Sequence, residues 1–275
     1  MSECDHNCAG CSQKCDAPQT EKTHDLSHIK RVIAVVSGKG GVGKSAVTAM
    51  LSTAMSAKGY ACAVLDADIT GPSVPKMFGV SGSISGDEFG IYPAKTEKGT
   101  KLISSNLLLE RETDAIVWRG PVIAGMVKQF WTDVIWGDVD YMFVDCPPGT
   151  GDVPLTVFQS IKVDGIVVVT TPQELVSMIV EKAVNMANMM KIPVLGIVEN
   201  MSYAVCPHCG DKLYLFGKGK TEEVAKKYRL PILANVPFDA RIVEAADGGK
   251  IEELNVDYLH AAADIFESAL PVKEH

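Results

Sequence analysis

The run Gly38-Lys39-Gly40-Gly41-Val42-Gly43-Lys44-Ser45 constrains this chain more than any other stretch. It fits the pattern G-x-x-x-x-G-K-[ST], follows the β-branched run VIAVVS and opens a stretch with helical periodicity over 44–58. Between a strand and a helix, such glycines let backbone N–H groups turn inward around phosphate oxygens, and the helix N-terminus adds its positive end. Gly38, Lys39, Gly40, Gly41, Val42, Gly43, Lys44, Ser45 and Ala46 are the candidate phosphate-binding residues. Lys44 is placed to reach the β- and γ-phosphates, and the Ser45 hydroxyl to ligate Mg2+. A Gly-rich turn without a ligand is the alternative, and the flanking strand and helix argue against it.

Short apolar runs recur at 61–68, 141–146, 165–170, 194–200 and 231–236, and helical stretches at about 121–135, 153–162, 174–190, 220–228, 239–247 and 257–269 separate or follow them. Near-continuous apolar strands alternating with helices predict an α/β fold: a doubly wound, mostly parallel sheet flanked by helices, with ligands at the carboxyl ends of its strands. A chain of 275 residues, 47% of them hydrophobic, can bury a core without staples. Residues 71–100, rich in Gly, Ser and Pro, read as a long loop with one short hairpin. The polar residues 1–28 form a cysteine-rich N-terminal segment, and 29–275 form the P-loop domain, with a CxxC-bearing insert near 201–216.

The formal net charge of −8 disfavours a global basic field for nucleic acid. No run reaches the roughly 18 apolar residues of a membrane helix, so no membrane partner is expected. The start, MSECDHNCAG, has neither a basic n-region nor an apolar h-region, so a cytoplasmic location is expected. In a reducing compartment, clustered cysteines read as metal or cluster ligands ahead of disulfides.

Asp145 ends the strand YMFVD, where a carboxylate can hold Mg2+ through water. Asp66 and Asp68 end VLDAD, placed to address the γ-phosphate or its attacking water. A strand-end Asp is ordinarily a cap or turn former, but three of them share the edge that carries the P-loop. No N-K-x-D guanine-reading motif is present, which favours ATP over GTP, and Asn200 follows a strand where a base-contacting residue can sit. Cys206-Pro207-His208-Cys209 supplies two thiolates, whereas a tetrahedral or cluster site takes four. Cys62 and Cys146 fall inside core strands and read as small buried hydrophobes. Two copies of Cys206 and Cys209 about a twofold axis complete a set of four; half of a zinc knuckle and a redox pair are the alternatives. Cys4, Cys8, Cys11 and Cys15, spaced C-x3-C-x2-C-x3-C, are a self-sufficient set for either a second iron–sulfur cluster or zinc, with His6 as a further donor.

GKGGVGKS, with its second lysine Lys39, resembles the deviant Walker A of the MinD/ParA/nitrogenase-iron-protein class. DADITGPSVP, DCPPGTGD, TTPQE, ENMSY-x-x-CPHCG and VPFDARI resemble a narrower group, the Mrp/ApbC family of ATP-binding iron–sulfur cluster carriers, in colinear order over about residues 30–250. The resemblance implies an ATPase whose cofactors are ATP, Mg2+ and a 4Fe–4S cluster bridging a homodimer through Cys206 and Cys209, with apo iron–sulfur proteins as recipients. It implies that Lys39 reaches the partner subunit's phosphates, that Lys44 and Ser45 bind phosphate and Mg2+, and that Asp68 in switch I orients the attacking water. Asp145 then supports Mg2+ ahead of a switch II of Pro147, Pro148, Gly149 and Thr150, and Asn200 and the segment around Pro237 contact adenine. Two rivals remain. A MinD/ParA-type positioning ATPase would carry a basic amphipathic C-terminal helix or a basic DNA face, and DYLHAAADIFESALPVKEH is acidic to neutral. A zinc-structured regulatory ATPase differs only in its metal.

Overall fold

The apolar runs become neighbouring strands of one twisted sheet. The structure, a computed structural model, describes residues 20–69, 71–82, 84–108, 120–149, 151–172 and 176–272. The chain begins with β1 (Ser27–Ser37), α1 (Lys44–Ala57), β2 (Cys62–Asp66) and α2 (Val74–Met77). A small hairpin, β3 (Gly86–Asp87) and β4 (Gly90–Ile91), precedes β5 (Ala94–Lys95) and β6 (Lys101–Ile103). Then come α3 (Gly120–Thr132), β7 (Gly137–Asp145), α4 (Asp152–Ser160), β8 (Gly165–Thr170), α5 (Val176–Met190) and β9 (Val194–Glu199). A second hairpin, β10 (Ala204–Val205) and β11 (Lys212–Leu213), leads to α6 (Thr221–Tyr228), β12 (Ile232–Asn235), α7 (Ala240–Asp247) and α8 (His260–Ala269).

Among the described residues eight strands form the main sheet, in the order β12-β9-β8-β1-β7-β2-β6-β5. Every neighbouring pair is parallel except β5 with β6. Side-chain alternation splits β1 between two cores. Val32, Ala34 and Val36 face Val127, Phe158, Val180 and their neighbours on α3 to α6. Ile33 and Val35 face the opposite layer, where Val47 and Leu51 of α1 pack with Ile242 of α7 and Phe266 of α8. Both sheet faces are therefore covered, which is why these strands are apolar without polar alternation.

Two strands of the main sheet were not anticipated. Residues 71–100 hold the expected hairpin but also α2 and β5, and β5 with β6 extends the sheet by two positions. These pieces are two to four residues long, too short for a periodic signal. Tertiary contacts hold them: Thr96 and Thr100 hydroxyls donate to buried Glu252 at 2.9 and 2.8 Å. No helix among the described residues is long and apolar enough to cross a membrane.

Phe143 lies near the carboxyl end of β7, fully buried, its ring centroid 6.2 Å from that of Phe266. Phe143→Ala is expected to lower the unfolding free energy by about 3–5 kcal/mol through lost transfer energy plus a cavity. Urea denaturation reads this directly, and a loss below about 1 kcal/mol would contradict the packing described.

Candidate nucleotide and cysteine sites

The parallel sheet brings the carboxyl ends of β1, β2, β7, β8 and β9 to one edge. In register, Asp145 pairs with Val35 of β1 on one side and Asp66 of β2 on the other. The P-loop leaves β1 immediately beyond this point and turns into α1. Gly43 is the turn's pivot: its φ is +74°, and a Cβ there would lie 2.3 Å from the Asn200 amide nitrogen. Both conformation and space therefore demand glycine.

Asp145 is wholly buried and accepts three side-chain donors. Lys44 Nζ donates to its Oδ1 at 2.6 Å, Ser45 Oγ to Oδ2 at 2.6 Å, and Thr48 Oγ1 to Oδ1 at 2.9 Å. Burial on its own would lower the Lys44 pKa; the Asp145 carboxylate, with Asp68 and Asp66 behind it, outweighs this and raises it. Asp68 Oδ2 stands 3.8 Å from Lys44 Nζ. Asp66 is also buried; desolvation and the Asp145 charge push its carboxyl up to about 8, against the pull of Lys44. It accepts from Ser104 Oγ at 3.0 Å and from the Asp68 N–H at 3.1 Å. Thr48 and Ser104 are members of this network that sequence reasoning missed. Thr48 lies one helical turn beyond Lys44 and so was findable by spacing; Ser104 follows the unanticipated β6 and carried no signal.

A cleft of about 270 Å3 opens above these groups. Lys39, Gly40, Gly41, Val42, Gly43, Lys44, Ser45, Ala46 and Asp68 line it, with Gly71, Ser73 and Met77 of the α2 region and Pro148 opposite. Thr150 lies outside the described residues. A larger cavity, about 500 Å3, between α1 and residues 251–260 is lined by none of the expected site residues. Asn200 and Pro237 are buried and do not line the cleft. The Asn200 amide instead donates to the Val42 carbonyl at 2.8 Å.

Six residues beyond Asn200, Cys206 opens the turn of the β10–β11 hairpin. Its N–H donates to Asp211 O at 2.9 Å, and the Gly210 N–H donates to its carbonyl at 3.0 Å. The backbone N–H groups of Cys209 and His208, followed by the Cys209 thiol, lower the Cys206 pKa by stabilising its thiolate. Cys206 is half-buried and Cys209 exposed, with Cys209 Sγ donating to Asp211 Oδ2 at 3.2 Å. Among the described residues no three His, Cys, Asp or Glu side chains converge as a metal site, so one chain offers this knuckle two thiols. Val205, Leu213, Tyr214, Leu215 and Phe216 leave apolar surface exposed around it. Cys62 and Cys146 are free and buried, as anticipated, and burial pushes both thiols up to about 12. Cys4, Cys8, Cys11 and Cys15 lie outside the described residues.

Comparison with known proteins gives this arrangement a family. Residues 28–270 match the family model described as ParA: NUBPL iron-transfer P-loop NTPase. A Methanocaldococcus jannaschii protein named iron-sulfur cluster carrier protein is 43% identical over 261 residues, covering 90% of each chain. A Clostridium perfringens protein of the same name is 43% identical over 267 residues, covering 90% of this chain and 94% of its own. The solved nucleotide-binding protein of Archaeoglobus fulgidus in complex with ADP is 45% identical, with a TM-score of 0.76 over 84% of this chain and 90% of that one. The septum site-determining protein MinD of Pyrococcus horikoshii, 21% identical with a TM-score of 0.57 over 88% of this chain and 96% of its own, shares the fold. On the match over residues 28–270 and the 43% identities, the chain belongs to the ParA-type iron-transfer P-loop NTPase family.

Proposed function

We propose that this chain is an ATP-hydrolysing carrier of 4Fe–4S clusters that works as a homodimer in the cytoplasm. The observation that carries the reading is that the phosphate loop and the CxxC hairpin are rooted at one sheet edge and joined there, Asn200 to Val42 at 2.8 Å. The names of its relatives support the cargo, and the ADP-bound neighbour supports the nucleotide.

In this reading the loop N–H groups and the positive end of α1 hold the phosphates. Lys44 leaves Asp145 for the β- and γ-oxygens, and Lys39 reaches the phosphates of the partner subunit, where an added cation meets charge developing on the γ-oxygens. Asp68 orients a water whose oxygen bonds to the γ-phosphorus as the bond to the β–γ bridging oxygen breaks, releasing ADP and inorganic phosphate, with the water's proton passing to a phosphate oxygen. Ser45 Oγ and the Asp145 carboxylate are hard oxygen donors already gathered about a cation, the Lys44 ammonium, and so fit Mg2+. Bound Mg2+ neutralises charge on the β- and γ-phosphates. Asn200 and the segment around Pro237, buried in the nucleotide-free chain, contact adenine once nucleotide is bound, and residues 147–150 form the γ-phosphate-sensing switch.

Cys206 and Cys209 from two subunits supply the four thiolates of one shared cluster, which passes to apo iron–sulfur proteins. The chain then divides into a cysteine-rich segment, 1–28, and the P-loop domain, 29–275. Cys4, Cys8, Cys11 and Cys15 hold a second cluster or zinc.

Lys44→Ala is expected to lose ATP hydrolysis by about two orders of magnitude or more while still assembling iron and sulfide in vitro. Undiminished hydrolysis would contradict the loop assignment. The holo chain should restore an apo 4Fe–4S enzyme, and the Cys206→Ala/Cys209→Ala variant should not. Asp66 sets a pH dependence in the nucleotide-free chain. Its folded pKa, about 8, exceeds the ordinary 3.8, so its stabilising contribution is full below pH 3.8 and is lost as pH rises through 8. Wild type should therefore lose stability relative to Asp66→Asn across that window, by at most about 1.4 kcal/mol per pH unit. Urea midpoints at several pH values test this, and parallel pH profiles of the two proteins would refute it.

A further inference from the structure

We propose that Lys212, Lys218 and Lys220 form a docking face beside the CxxC turn for an acidic surface of the apo iron–sulfur protein that receives the cluster, an inference that rests on the carrier reading above. Residues 210–220 hold three lysines against one carboxylate, Asp211, in a chain whose net charge is −8. The sign of the charge is therefore reversed where the thiols stand. Asp211 is itself engaged, accepting the Cys209 thiol at 3.2 Å. Glu222 and Glu223 follow in the first turn of α6, where the positive helix end is their counter-charge.

Two of these lysines are seated on rings. The β10–β11 register pairs Val205 with Lys212, which sets Lys212 diagonally across from Tyr203 on the same face. Lys212 Nζ stands 4.1 Å from the Tyr203 ring centroid. The Tyr203 and Tyr214 centroids are 6.5 Å apart, and Lys218 Nζ lies 5.5 Å from that of Tyr214. The four side chains make one ladder, ammonium–ring–ring–ammonium, at the root of the turn that Cys206 opens. A ring holds an ammonium in place without cancelling its charge, so less side-chain entropy is lost when a carboxylate binds. Elsewhere Lys30, Lys58, Lys76 and Lys128 already pair with carboxylates. Among the described residues Lys212, Lys218 and Lys220, all exposed, join none of the ion pairs.

Leu213, Leu215 and Phe216 expose apolar surface within the same stretch, so the face combines apolar contact with cations, as protein–protein interfaces do. Charge selects the occupant. A second copy fits poorly, because an isologous contact through these lysines sets like charges together. Nucleic acid and anionic bilayers fit poorly too, because they need an extended basic field and the remainder of the chain is acidic. A recipient with a local acidic face meets both conditions. Handover also requires contact at the thiols: each incoming thiol gives its proton to the cysteine it displaces from iron, and no electron moves. Opposite charge beside the turn steers the recipient to that point and holds it there.

The test uses the full chain, loaded with cluster without oxygen, and the apo form of an acidic bacterial aconitase as recipient. Activity recovered by the recipient gives the transfer rate. A water-soluble carbodiimide, which joins lysine to carboxylate where the two pair, gives the contact by peptide mass spectrometry. Wild type should transfer about tenfold faster at about 20 mM than at about 200 mM salt. Lys212→Gln/Lys218→Gln/Lys220→Gln should load the same iron and sulfide and hydrolyse ATP as wild type does. It should nonetheless transfer about fivefold or more slowly at the lower salt and lose most of the salt dependence. Wild-type cross-links to the recipient should fall on these three lysines, in the unloaded chain as well, which decides the matter if the variant fails to load. A variant that transfers as wild type does, or cross-links confined to other lysines, would overturn the docking face alone. Binding of an oligothymidylate or of phosphatidylserine vesicles that the recipient cannot displace would overturn the choice of an acidic protein. Failure of loaded wild type to restore the recipient at either salt would overturn the carrier reading, and the docking face with it.

Discussion

A carboxylate with no exposure to water, on the central strand of a sheet, is the constraint around which the rest is arranged. An unpaired charge at Asp145 would cost several kcal/mol, so its position is tenable only with donors on every side. α1 supplies all three: Lys44 and Ser45 at its first two positions and Thr48 one turn on. The same bonds fix the height of the helix above the sheet, and hence the place of the loop that precedes it. Asp66, one strand away, is held toward its protonated form by burial and the neighbouring Asp145 charge. The edge is thus a concentrated anionic pocket temporarily balanced by a lysine. Such a balance is easily re-made around a phosphate and a divalent cation, because the cationic lysine can change partners.

The second half of the account follows from topology. β8 and β9 run parallel beside β1, so their carboxyl ends deliver Thr170, Glu199 and Asn200 to the level of the loop. The excursion after β9 is closed at its base by Glu199 and Ser202, and its tip presents two thiols in a turn whose backbone N–H groups favour the Cys206 thiolate. A knuckle with two thiols and an apolar surround is what the proposed dimer would draw on from each subunit, since twofold symmetry places identical pairs face to face without new chemistry.

Much of this is legible in the sequence. The P-loop is local: strand, glycines, lysine and helix are contiguous, so spacing alone indicated where Lys44 and Ser45 stand, though not that both bond to Asp145. Strand-end carboxylates were readable because a parallel sheet aligns the ends of its apolar runs. β5 and β6 were not, since two- and three-residue strands have no period and their attachment comes from Glu252, some 150 residues away. The Asn200–Val42 bond was equally hidden, spanning 158 positions. Asn200, expected at the base, also bonds the wall of the phosphate loop, a relation only the folded chain reveals.

The central claim is that Cys206 and Cys209 hold an iron–sulfur cluster shared between two subunits. Its most direct test is iron, acid-labile sulfide and zinc per chain in protein purified without oxygen, wild type beside Cys206→Ala/Cys209→Ala. The account predicts that the double variant lacks about two irons and two sulfides per chain that wild type contains, half of one 4Fe–4S cluster. Zinc without sulfide in wild type, or iron and sulfide unaffected by the double substitution, would contradict it.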